Sequence, residues 1–269
     1  MSRHEVSRRT FAASAAGIAA GVFVARSGIV AGQEATAIAG GASPEAVTKP
    51  IGYVSTRIRT LEAADARSGV NDLVVEQFAP EVEALPGFEG YLLGDIVDHA
   101  DQSLSIVVFD EEAQTAAFDE TAKTFVATLE DGAVVTGTEA WAGDLLIRGV
   151  PATTSATPAA TPVTSGVSGY AAMRVHTSKP GTNPRDFVPL ATTGFLPIVT
   201  ALPGFQGYLW YPTDEGFVAI SLYDSAESAN ASHDAAKEWA AEFLSEYTDG
   251  NPRIINANVV YTKLPVLSS

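Results

Sequence analysis

The sequence predicts an α+β protein made of two βαββαβ units in tandem. Three observations lead there: a motif that recurs at a fixed offset, the same order of strand and helix signals after each occurrence, and a low-complexity segment between them. Leu85-Pro86-Gly87-Phe88-Glu89-Gly90-Tyr91 returns as Leu202-Pro203-Gly204-Phe205-Gln206-Gly207-Tyr208, 117 residues later. Residues 52–91 and 169–208 share 15 of 40 positions without a gap, and the offset then falls to 114, pairing Phe109-Asp110 with Tyr223-Asp224 and Ala122-Lys123 with Ala236-Lys237. Self-similarity at one period is the mark of a duplicated unit. Pro151 to Ser168, PATTSATPAATPVTSGVS, lacks the large apolar side chains a core needs and reads as an extended linker.

Within the first unit, Tyr53–Arg59 alternates and is rich in β-formers, so it reads as a strand. Val70, Leu73, Val74, Phe78, Val82 and Leu85 follow helical spacing, and Pro80, matched by Pro197, should kink or restart that helix. Phe88–Val97 and Ser103–Phe109 read as strands around an acidic hairpin. Asp110 is placed to cap a second helix, with Phe118, Ala122, Phe125 and Leu129 on one face; Leu145–Arg148 closes the unit. The second unit carries a capping-box pattern at Asp224-Ser225-Ala226-Glu227 and a helix start at Asn183-Pro184. This order is the split βαβ, or ferredoxin-like, arrangement: an antiparallel sheet with both helices on one face.

Leu104, Ile106 and Val108 form an aliphatic side of the third strand that suits the helices. The opposite side carries Tyr53, Ser55, Arg57, Arg59, Ser105 and Phe109, with Tyr170, Ala172, Arg174, His176, Ala219 and Tyr223 as counterparts. That side is too aromatic for open solvent and too polar for a dry core. The expectation is two sheets packed face to face, enclosing a mixed cavity.

Composition narrows the function. The 269 residues carry a formal charge of −16, 46% hydrophobic residues and no cysteine. Disulfides, thiolate metal sites and a cysteine nucleophile are excluded, and the acidic balance argues against nucleic acid and anionic membranes as partners. Residues 38–150 hold 20 acidic against 6 basic side chains, residues 151–269 only 10 against 6, so the first unit is the more repulsive to anions. No P-loop, G-x-G-x-x-G, H-E-x-x-H or Ser-His-Asp order occurs.

At the N-terminus, Ser7-Arg8-Arg9-Thr10-Phe11 precedes fourteen small or apolar residues, Ala12 to Ala25, then Arg26 and an Ala35-Thr36-Ala37 cleavage pattern. The stretch is shorter than the ~20 residues a spanning helix needs. It resembles a twin-arginine export signal. That resemblance implies engagement of the twin-arginine translocation machinery, export across the cytoplasmic membrane, and no stable membrane association after cleavage. Residues 1–37 are then the signal, 38–50 a tether, 51–150 and 169–265 the two repeats, and 151–168 the linker.

The βαββαβ order, the P-G-F turn entering the second strand and the aromatic ending the third (Phe109, Tyr223) resemble the dimeric α+β barrel superfamily, in the branch of antibiotic-biosynthesis-monooxygenase-like domains. The resemblance covers Ile51–Val150 and Gly169–Leu264. It implies that the two repeats form, within one chain, the barrel that members usually make by dimerising. It also implies a cavity that in some members oxygenates phenolic or quinol-like substrates without a cofactor and in others binds and degrades haem. Active members often have an Asn on the first strand, where Arg57 and Arg174 stand here, and a Trp near the end of the third, where Phe109 and Tyr223 stand. Haem-degrading relatives use a His on the second helix, approximated here by His233 with Asp119 as its counterpart. No catalytic residue is carried over, and no cofactor is expected.

The candidate ligand-binding residues are Arg174, His176, Tyr208, Trp210 and Tyr223 in the second repeat, with Arg57, Tyr53 and Tyr91 in the first. The two arginines invite a carboxylate or phenolate from a ligand, or an internal bridge to Glu89 or Asp95. The rings can cover a flat ligand or pack the interface. His176 reads as a structural histidine or as a group exchanging a proton near neutral pH. Asp95, Asp98, His99 and Asp101 crowd one hairpin and read as a solvated acidic turn, not a metal site. The second repeat should hold the better cavity. The expected function is binding of a small molecule, with cofactor-independent oxygenation and a non-catalytic structural duplication as alternatives.

Overall fold

The computed structural model describes residues 49–129, 134–151 and 169–264; the stretch read as an export signal, most of the expected tether and the expected linker beyond Pro151 lie outside the described residues. Strand β1 (Tyr53–Leu61) leads to helix α1 (Ala66–Leu73), which passes through a five-residue π-helical turn, Val74–Phe78, into α2 (Ala79–Glu83). Strands β2 (Phe88–Ile96) and β3 (Gln102–Phe109) form a hairpin, followed by α3 (Thr115–Val126), β4 (Val135–Asp144) and β5 (Ile147–Gly149). The second half runs β6 (Tyr170–Ser178), α4 (Val188–Leu190), a π turn at Ala191–Phe195, α5 (Leu196–Thr200), β7 (Phe205–Thr213), β8 (Gly216–Tyr223), α6 (Ala226–Phe243) and β9 (Thr248–Thr262).

Both prolines do restart their helices. Pro80 and Pro197 sit in the first turns of α2 and α5, directly after the π turns, where a ring without an N–H cannot continue an ordinary ladder. The widened turn takes up the mismatch: the amides of Ala79 and Leu196 reach back five residues, to the carbonyls of Val74 and Ala191. The P-G-F turn also has a local cause. Gly87 and Gly204 have φ of +70° and +71°, and a Cβ at either would run into the carboxylate of Asp110 or Asp224. The amide of each aspartate in turn donates to the glycine carbonyl, at 2.9 and 2.8 Å. Glycine is required on both counts.

The strands form one nine-stranded sheet, every pair antiparallel, in the order β4-β1-β3-β2-β9-β6-β8-β7-β5. Two separate sheets were expected; hydrogen bonding instead runs from one half into the other through β9. Its first part pairs with β6 and its last part with β2, opposing Ala257 to Ile96 and Thr262 to Leu92. In the first half β4 pairs with β1, and β5, two residues further on, pairs with β7 of the second half.

The faces are the reverse of those assigned from sequence. Val54, Ile58, Leu92, Ile106, Val108, Met173, Leu209, Ile220 and Ile255, from both halves, belong to one buried aliphatic cluster that contains no helical residue. The aromatic sides lie under the helices: Tyr91, Val107 and Phe109 against Phe78, Val82 and Phe118, and Tyr208, Trp210, Phe217 and Tyr223 against Phe187, Phe195 and Trp239. The mixed face is therefore covered by helices, not by the other half's sheet. Aliphatic side chains mesh closely where strands face strands, whereas rings bridge the wider gap to a helix layer.

Local differences have similar causes. Helix α3 starts at Thr115, after a 3₁₀ turn at Glu112–Gln114, and Asp110 serves the glycine turn in place of the helix. The cap of α6 is Ser225, whose Oγ accepts from the Ser228 amide, one residue beyond the expected Asp224. The fourth strand of the first half is mainly β4, a largely solvent-facing edge with no apolar alternation to reveal it.

Candidate functional site

Strands β6, β7 and β8, helix α6, the α4–α5 segment and the start of β9 surround a cavity of about 880 Å³ in the second half. At its sheet side sits Arg174, only 4% exposed. Its Nη1 donates to Ser221 Oγ at 3.3 Å, and its Nη2 donates to Ser232 Oγ at 3.1 Å and to His233 Nδ1 at 3.0 Å. None of the ion pairs among the described residues includes Arg174. Burial lowers its pKa, with Tyr208 and Tyr223 acting in the opposite sense, but a guanidinium starts so high that it stays charged.

Because a guanidinium has only donors, His233 must accept at Nδ1 and carry its proton on Nε2, which then donates to Asn256 Oδ1 at 3.1 Å. Burial first and Arg174 second lower its pKa, so the ring is held neutral. His176 lies flat on Phe217, centroids 4.3 Å apart and planes 9° from parallel. Burial and then Arg174 lower its pKa to about 4. It is neutral at physiological pH, so of the two sequence readings the structural histidine is the one this burial favours.

The walls are aromatic. Phe187 meets Phe217 edge-on at 4.8 Å and Trp210 at 5.4 Å, while Trp239 tilts against Phe195 at 5.0 Å. Lys179 and Lys237 add positive charge, offset by Asp234 and Asp249. The site thus offers a ring-walled, mainly apolar cavity with one buried arginine at its sheet side. Burial raises the Tyr208 phenol far above its usual range, so it remains protonated.

Of the residues singled out from sequence, Arg174, His176, Tyr208 and Trp210 line this cavity. Tyr223 is buried beside Arg174 but is not part of the lining. The first-half residues lie elsewhere. Arg57 bridges to Asp119 and stacks on Phe118 at 4.7 Å, not to Glu89 or Asp95, which pair with Arg148 and Arg67. Tyr53 Oη donates to Glu112 at 3.4 Å. Tyr91 is fully buried, its pKa raised to about 12 chiefly by burial, and borders a void of only about 30 Å³ with Arg59, room for about one water. The acidic hairpin forms no metal cluster among the described residues.

Sequence reasoning passed over His233 as a cavity residue, along with Phe187, Phe195, Phe217 and Trp239. A signal was present in the 114-residue offset. Phe118, Asp119 and Val126 of α3 correspond to Ser232, His233 and Ala240 of α6, and Val74 corresponds to Ala191 at 117. Each exchange removes bulk or charge where the second half has space.

No family model matches this sequence, and no curated protein does. Solved structures do. A "putative monooxygenase" from Fusobacterium nucleatum has a TM-score of 0.62 at 9% identity, covering 81% of this chain and 96% of its own. Another "putative monooxygenase", from Lactobacillus acidophilus, has a TM-score of 0.57 at 12% identity over 79% and 96%. An anthrone oxidase-like protein has a TM-score of 0.54 at 14% identity over 81% and 94%. The fold resembles that of dimeric α+β barrel proteins. A haem held from the second helix of the half does not fit the residues present, since both nitrogens of His233 are already hydrogen-bonded.

Proposed function

We propose that this chain is an exported small-molecule-binding protein whose second half takes a flat, partly apolar ligand. The observation that carries the reading is the ring-walled cavity of about 880 Å³ ending on a buried arginine that belongs to no ion pair among the described residues. Ligand pockets are typically ~300–1,000 Å³, mostly apolar, with a few convergent polar groups. We read the two halves as copies closing one barrel, an interpretation supported by β4 and β5 pairing with opposite halves and by β9 bridging both.

The fluorescent aromatic anion 8-anilino-1-naphthalenesulfonate tests the cavity. The parent should bind it with enhanced emission. Ala219→Phe, which places a ring where β8 floors the cavity, should weaken binding by about tenfold or more, since a filled slot loses much of the ligand's buried area. Equal binding by a folded Ala219→Phe protein would put the dye elsewhere and sink the reading. A second reading, cofactor-independent oxygenation, is favoured by the fold likeness to the proteins named above. Oxygen uptake with anthrone and quinol substrates, abolished by the same substitution, would select it over binding alone.

Export rests on the Arg8-Arg9 pair, the short apolar stretch and the A-x-A pattern. Replacing both arginines by lysine should leave precursor in the cytoplasm. Export of the double variant at the parental level would remove this part of the proposal.

A further inference from the structure

The two halves treat their equivalent arginines differently, and α3 and α6 hold the cause. In the first half Phe118 lies under the Arg57 guanidinium and Asp119 neutralises it, leaving a void of about 30 Å³ nearby. In the second half the corresponding residues are Ser232 and His233. Ser232 is too small to cover the guanidinium and becomes a hydrogen-bond acceptor for it. His233 accepts from it through Nδ1 while its other nitrogen is anchored on Asn256.

We propose that His233 is the residue that sets ligand charge: it holds Arg174 in place as a neutral acceptor without cancelling its charge, so that the cavity selects ionised aromatic acids over their neutral analogues. The proposal rests on the reading of the cavity as a ligand site and names the ligand class for it. Ser221, Ser232 and His233 are the hydrogen-bond partners of Arg174, and all three are uncharged acceptors. A guanidinium with neutral partners only keeps its full charge for an incoming carboxylate, and hydrogen bonds between ionised groups are the strong ones. A carboxylate at position 233 would recreate the first-half arrangement. It would occupy the guanidinium and repel an anionic ligand, while leaving the aromatic walls untouched. A neutral ligand gains little from Arg174 in either case.

The test uses the full chain with 2-naphthoate and its neutral analogue 2-naphthalenemethanol, followed by quenching of the cavity tryptophans or by calorimetry. The parent should bind naphthoate about tenfold or more tighter than the alcohol. His233→Asp should lower naphthoate affinity by about 30-fold and leave the alcohol within about threefold. His233→Asn keeps a neutral acceptor for Arg174 and an amide donor for Asn256, and should hold naphthoate within about threefold of the parent. Thermal melting separates loss of fold from loss of binding, and His233→Glu carries the test if the aspartate variant does not fold. Undiminished naphthoate binding by the folded acidic variant, or equal loss of both probes, overturns the role of His233 while the cavity reading stands. A parent that binds neither probe overturns the cavity reading itself.

Discussion

Replacing Gly143 by alanine should cost about 3 kcal/mol of stability, among the largest effects expected of one methyl group in this chain. Gly143 on β4 pairs with Val54, and Pro212 on β7 pairs with Phe217, yet the two strands also touch, with the Pro212 backbone directly against Gly143. A Cβ at Gly143 would fall far inside contact distance of the Pro212 carbonyl oxygen and against the ring of Tyr211. Both obstacles belong to the seam between the halves. Tyr211 Oη donates to Thr56 Oγ1 at 2.7 Å across it, the Leu146 amide donates to the Trp210 carbonyl at 3.1 Å, and Arg185 bridges to Asp144. Because the obstruction is backbone held in a sheet, it cannot swing aside as a flexible side chain would. Gly69→Ala supplies the control. It lies in α1 with nothing within 4 Å of an added Cβ, and should stabilise by up to about 1 kcal/mol through helix propensity. Urea midpoints of the three proteins decide. If Gly143→Ala unfolds within 0.5 kcal/mol of the parent (about the scatter of an innocuous surface change), the seam is looser than the structure has it.

What the sequence revealed and what it hid divide along physical lines. Strands such as β3 and β8 were legible because burial on both faces produces dense apolar runs, and the helix restarts were legible because proline leaves few options. The cavity-side residues on strands, Arg174, His176, Tyr208 and Trp210, were legible as polar or aromatic positions alternating with aliphatic ones. The orientation of the sheet was not. Alternation says that two faces differ, but not which partner each face meets, and Leu104, Ile106 and Val108 suit a second sheet as well as they suit a helix. The continuity of the sheet was hidden for another reason: β9 is a single strand of 15 residues with two partners, and pairing partners leave no mark on local periodicity. His233 shows a third limit. Its role depends on what stands 59 residues away on another element, and only comparison with Asp119 exposes it.

Arg174→Met is expected to raise stability by about 1–3 kcal/mol while abolishing the binding of aromatic acids, and the combination separates a functional arginine from a structural one. The guanidinium of Arg174 is buried with neutral partners, so its desolvation cost is met by three hydrogen bonds and by no counter-charge among the described residues. Methionine has a similar length, no charge, and sulfur and methyl groups suited to the rings of the cavity. Ser232 retains its hydrogen bond to the Ala229 carbonyl, at 2.7 Å, and His233 its bond to Asn256, at 3.1 Å, whereas Ser221 Oγ and His233 Nδ1 lose their donor, a cost that holds the gain toward the lower end of that range. For a chain of this size the gain corresponds to a midpoint rise of about 2–4 °C per kcal/mol. Arg57→Met is the matched comparison. That arginine is 17% exposed and already has Asp119, whose side chain is 56% exposed, with Phe118 under its guanidinium; loss of this half-exposed pair and of the stacking should cost about 1 kcal/mol. The two variants should therefore move in opposite directions, or Arg57→Met should hardly move at all. Saturating 2-naphthoate should raise the melting midpoint of the parent and of Arg57→Met, because a ligand that binds only the folded state stabilises it by mass action, and should leave Arg174→Met unchanged. A fall in the stability of Arg174→Met by 2 kcal/mol or more would mean that its hydrogen bonds to Ser221, Ser232 and His233 hold the fold, and that the second half keeps its arginine for packing.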